Sequence, residues 1–108
     1  MGGRGSSSGA GRRYGSANEV YQQVRRGLGE ITGGSERQIS FARTLRNNAI
    51  SGYAQHTFDA QNKNPLIARK ASAALRRYER DYEFARKETD ARKILDRLAD
   101  TGFRYGAM

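Results

Sequence analysis

Residues 35–54 read SERQISFARTLRNNAISGYA, and this stretch decides the fold. Ser35 followed by Gln38 is a capping box. The serine hydroxyl accepts from the amide at Gln38, and the glutamine side chain reaches back to the amide of Ser35. Behind it, Ile39, Ala42, Leu45, Ala49, Ile50, Tyr53 and Ala54 recur at three and four residues over four turns, with Phe41 beside the stripe, where it can pair with Leu45. That spacing is the signature of an amphipathic helix. The helix is expected from Glu36 to a point between Thr57 and Asn62, with Gly52 tolerated at about 1 kcal/mol relative to alanine.

Downstream, Asn64-Pro65 supplies an N-cap and a proline at the first helical position, where its missing N–H is harmless. Ile67, Ala71, Ala74, Leu75, Tyr78, Tyr82 and Ala85 continue a helical stripe. Ala91, Ile94, Leu95 and Leu98 resume it about one residue out of phase. Either one helix spans 65–100, or it breaks near Glu88–Asp90 with Thr89 as a new N-cap; the phase shift favours the break. Gly102 suits a left-handed C-terminal cap, and Phe103-Arg104-Tyr105 follows as a short tail.

Upstream, Val20, Tyr21, Val24, Leu28 and Ile31 suit a short helix near 17–26 before Gly27 and Gly29 interrupt it, and Gly33-Gly34 closes the segment. A turn of strand around Leu28–Thr32 is the competing reading. Residues 1–15 hold six of the 13 glycines with Ser6, Ser7, Ser8, Arg4, Arg12 and Arg13. A segment so poor in apolar side chains cannot offset the entropy of ordering. The organisation expected is therefore a disordered Gly/Ser/Arg tail over 1–15, a short helix or irregular segment over 16–34, and a helical domain over 35–108. The fold class is all-α: a small helical domain on two long antiparallel helices, 36–60 and 65–100, with the weaker N-terminal helix packed on them.

Composition limits what such a domain can do. Leu, Ile, Val and Phe total 17 of 108 residues, below the roughly 20% under which a highly charged chain leans toward disorder. A core that small predicts a homodimer or a state stabilised by a partner. The absence of cysteine removes disulfides, thiolate nucleophiles and thiolate metal sites. No apolar run approaches the roughly 20 residues of a membrane span, and the N-terminus has no signal-peptide apolar core.

Catalysis is not expected. His56 is the single histidine, and its place near a helix C-terminus suits an imidazolium against the dipole, with Asp59 close enough for a local hydrogen bond. The Gly-rich start lacks the lysine-Ser/Thr pair of a phosphate loop. Glu83–Lys87 and Glu88–Arg92 are i, i+4 pairs in the favourable order, which reads as a solvated, salt-laced face. No cofactor or metal is implied.

The cations say more. Lys and Arg number 20 against 11 Asp and Glu, a net charge of +9, and 16 of the 20 are arginine. Arginine binds phosphate in bidentate fashion and stacks on bases. Residues 66–80 carry Arg69, Lys70, Arg76, Arg77 and Arg80 against Glu79 alone, whereas 81–100 is close to neutral. Arg69, Arg76, Arg80 and Lys87 are spaced to line one helix face. Arg69, Arg76 and Arg80 are the expected binding stripe, Arg77 a flanking contact, Arg12 and Arg13 an arm reaching for phosphates, and Arg104 with Tyr105 an additional contact. The plain alternative is a solvated face on an arginine-rich chain. Tyr78 and Tyr82 border the stripe but continue the apolar one, so packing is their expected role. Phe103 and Tyr105 are open to binding, or to folding back as an apolar latch.

Gly34-Ser35-Glu36-Arg37-Gln38-Ile39-Ser40-Phe41-Ala42-Arg43-Thr44-Leu45-Arg46 resembles a G-S-x-[KR]-Q-x-x-[WF]-A-x-x-[IL]-R segment of small phage and mobile-element proteins. Met1-Gly2-Gly3-Arg4-Gly5-Ser6-Ser7-Ser8-Gly9 is similar to the Gly-Ser leader of some phage-encoded proteins. Together the two cover roughly a fifth of the chain. The resemblance implies a non-enzymatic protein of the anti-defence kind, whose best-known group is the anti-CRISPR inhibitors, acting in the cytoplasm of a bacterial host. The positive charge departs from the acidic DNA mimics of that group. The expected partner is thus a nucleic acid or a nucleoprotein complex such as a CRISPR effector, engaged through guide RNA, DNA or an acidic effector surface. The alternative is a structural or assembly protein of a phage or mobile element that works through protein contacts alone.

Overall fold

A computed structural model describes residues 13–108. They form α1 (Ala17–Arg26), α2 (Glu36–Asp59), α3 (Pro65–Arg77), α4 (Glu79–Lys87), α5 (Ala91–Leu98) and a 3₁₀ turn (Gly102–Arg104). The all-α class stands, with five helices and no strand among the described residues. The tail expected over 1–15 lies outside the described residues as far as position 12.

Local chemistry accounts for the helix starts. The Ser35–Gln38 capping box forms in both directions, at 3.2 and 2.9 Å. Ser16 accepts from the Glu19 amide and Asn64 from the Leu66 amide, with Pro65 at the first helical position. Each side-chain oxygen satisfies one of the orphan amides of a first turn.

α2 is the central element, packed against α1, α3, α4, α5 and the 3₁₀ turn. Ala42, Leu45, Ala49 and Ile50 are fully buried on it, and Tyr82, Ala85, Ala91, Ile94, Leu98 and Phe103 close the core from the other side. Ile31 joins the same core and Val20 is buried, so residues 16–34 pack as part of the helical domain.

The second long helix is replaced by three. The expected break at Glu88–Asp90 is present, but the cap is Asp90, whose carboxylate accepts from the Arg92 and Lys93 amides. Thr89 instead gives its carbonyl to the amide of Thr32 at 2.9 Å, and Thr32 accepts from Ala91 at 2.7 Å. This isolated parallel bridge is what becomes of the strand-like reading at Leu28–Thr32. A further interruption falls at Tyr78, where φ −103° and ψ 12° leave the helical range.

Two glycine readings are corrected. Gly102 has no positive φ; it opens the 3₁₀ turn, and a Cβ there would strike the Met108 thioether. Gly52 is buried against the Met108 backbone, so this position requires glycine where the sequence suggested simple tolerance. The described helices include none long and apolar enough to cross a membrane.

Candidate nucleic-acid interface

α3 exposes its charge because it buries so little else. Ala71 is its one buried residue, and Leu66 and Ile67 stand 67% and 40% exposed. The apolar stripe expected to begin at Ile67 therefore meets the core only from Ala71 onward. Arg69, Lys70, Arg76 and Arg77 are all exposed on this helix. Arg69 and Arg76, seven apart within one helix, share a side of it.

Arg80 is exposed too, but it lies beyond the Tyr78 interruption, on α4 with Lys87. The continuous four-residue line is thus broken. Arg80 borders a cavity of about 380 Å³ whose lining also includes Glu83, Lys87, Glu88 and Arg97, a mixed-charge setting. Arg77 and Lys70 border a different hollow, lined also by His56 and Tyr78, and the Arg77 guanidinium lies 5.5 Å from the Tyr78 ring centroid.

Ion pairing is sparse. Lys87–Glu83 forms at 2.8 Å as expected, and the hydrogen bond from Lys87 holds the Glu83 carboxyl below its ordinary range. Arg97 reaches Asp81 at 3.2 Å. These are the ion pairs among the described residues, and none of Arg69, Lys70, Arg76, Arg77 and Arg80 takes part in one. The Glu88–Arg92 pair does not form: Glu88 accepts from the Thr89 and Asp90 amides and so shapes the turn before α5. Asp59 takes its hydrogen bond from Gln55 rather than His56, at 3.1 Å.

Arg12 lies outside the described residues. Arg13 is exposed, but the backbone of the adjacent Tyr14 is bonded both ways to the Gln61 side chain. That contact fixes Arg13 beside the turn leading into α3, so residues 13–15 do not form a free arm.

At the other end, the aromatic residues divide. Phe103 is fully buried against Tyr78 and Tyr82, with ring centroids at 6.1 and 6.0 Å, and Asn48 donates to its carbonyl at 2.6 Å. It is the latch. Tyr82 is 1% exposed and packs edge-on to Tyr53, which bears out packing as its role. Arg104 and Tyr105 face solvent, Tyr105 at 86% exposure.

One basic cluster escaped the sequence reading. Arg25, Arg43 and Arg46 line a common cavity between the end of α1 and the middle of α2. The available signal was Arg46 itself, a charge placed four residues after Ala42 and four before Ile50 on the apolar stripe. No cluster of three or more histidine, cysteine or carboxylate side chains suited to a metal occurs among the described residues. No protein-family model, curated protein or solved structure matches the chain.

Proposed function

We propose that the protein binds a nucleic acid, free or within a nucleoprotein complex, through the exposed basic surface of α3 and the start of α4. One observation carries this reading: the five cations between positions 69 and 80 are exposed and none is in an ion pair. Cations at such density create a field suited to a polyanion, and the planar forks of the four arginines match phosphate oxygens. Arg13, held beside the α2–α3 turn, and the exposed Arg104–Tyr105 pair add further contacts of the same chemistry. The likeness of residues 34–46 to phage and mobile-element proteins supplies the setting: a non-enzymatic inhibitor of a nucleic-acid-guided defence complex in the bacterial cytoplasm.

The exposed Leu66 and Ile67 favour a second reading, in which the first turn of α3 makes protein contacts, including self-association into a dimer. Salt separates the two. Phosphate contacts release counterions, so affinity falls steeply as salt rises, whereas apolar docking barely responds. A pull-down from cells with and without nuclease asks the same question directly. Retention of a partner after nuclease treatment, with no salt dependence, would refute the nucleic-acid reading.

A further inference from the structure

Arg46 is 8% exposed in the middle of α2. Its Nη1 donates to the Gly29 carbonyl at 2.6 Å, while its Nε is buried without a partner. No carboxylate pairs with it. Burial lowers its pKa first, and the neighbouring positive charges of Arg43 and Arg25 lower it further, against an opposing contribution from Tyr21. A desolvated guanidinium beside two others is costly unless something negative arrives.

The surroundings are those of a receptor. Arg25, Arg43, Arg46 and Asn47, with Gly29 and Glu30, line a cavity of about 270 Å³. Three guanidinium groups against one carboxylate leave an excess of two positive charges there. We propose that this cavity binds a phosphate dianion, free or as a terminal monoester. The charge excess matches a dianion, the guanidinium forks match its oxygens, and the Asn47 amide adds a neutral donor at the cavity wall. The site lies on α1 and α2 and does not rest on the α3 surface.

The test is titration of the full chain with inorganic phosphate at constant ionic strength, following the arginine Nε–Hε resonances. Saturable shifts at Arg46 and Arg43 are expected, and Arg43→Gln and Arg25→Gln should each weaken binding about tenfold, as loss of one charge-assisted contact does. Both are surface positions, so a thermal melt confirms that the variants fold. Two oligonucleotides differing only in a terminal phosphomonoester or hydroxyl identify the source. Tighter binding of the phosphorylated one, abolished by Arg43→Gln, assigns a nucleic-acid end; phosphate saturation with no such preference assigns a free anion, and either supports the site. The combined Arg69→Gln, Arg76→Gln and Arg80→Gln variant should bind phosphate as the parent does. Absence of saturable shifts, full affinity in both cavity variants, or loss of phosphate binding in that triple variant would overturn the proposal.

Discussion

Gly33 lies close against the Asp90 side chain. Gly33 sits at φ +89°, and a Cβ built on it would lie 3.1 Å from the Asp90 carboxylate that caps α5. The Thr32–Asp90 bridge runs alongside, so one junction ties the loop before α2 to the start of α5.

Gly33→Ala should therefore destabilise the fold by roughly 1–2 kcal/mol, because a left-handed backbone strains any residue with a Cβ. Asp90→Ala should cost about 1 kcal/mol through the lost cap. The two effects should not add, since the residues are in contact. Urea unfolding of both single variants and the double variant measures this; simple additivity would mean the junction is not cooperative.

Phe103→Ala should cost about 3–5 kcal/mol, the usual range for emptying a fully buried aromatic site. Tyr105→Ala, two residues on and exposed, should stay within about 0.5 kcal/mol of the parent. Equal effects in denaturant melts would contradict the latch.

Alkaline pH should unfold the protein partly through Tyr82. Burial, then Tyr78 and Asp81, push its phenol well above the ordinary value of 10.0, and its hydroxyl donates to the Met108 carbonyl. A raised folded-state pKa means that this stability is complete below pH ~10 and is lost as pH climbs through the folded value. Tyr82→Phe should lose about 1 kcal/mol at neutral pH from the missing hydrogen bond and show a shallower decline above pH ~10. Tyrosinate absorbance during an alkaline titration checks it.

Changing Arg69, Arg76 and Arg80 to Gln should leave helicity nearly unchanged, since all three are exposed. On duplex DNA, each lost phosphate contact should flatten the log–log salt slope by about 0.9. Arg80, past the Tyr78 interruption and among Glu83 and Glu88, should contribute the least of the three. An unchanged slope in the triple variant would make this face an ordinary solvated one.

Deleting residues 1–15 should lower the thermal transition. It removes Tyr14 and both of its backbone bonds to Gln61, each worth about 1 kcal/mol. Gln61→Ala should reproduce that loss, and an unshifted transition in both variants would show that the contact contributes nothing.

Much of the helical framework is legible in the residues themselves. Ser35 and Asn64 announce helix starts because capping is decided within four residues, and the apolar period of α2 reveals its buried face for the same reason. The exposed cations at positions 69–80 are equally readable, since charge without a nearby counter-charge stays in water. The remainder depends on atoms distant in sequence. Asp90, not Thr89, caps α5, at the residue that the Thr32 bridge fixes beside the loop before α2. Gly52 and Gly102 serve Met108, and Phe103 turns inward onto Tyr78 and Tyr82. The gathering of Arg25 and Arg43 around a buried Arg46 has the same origin. Periodicity assigns a residue to a face of its own helix, but only the packing of α1 and the Gly29 loop against α2 determines what that face meets.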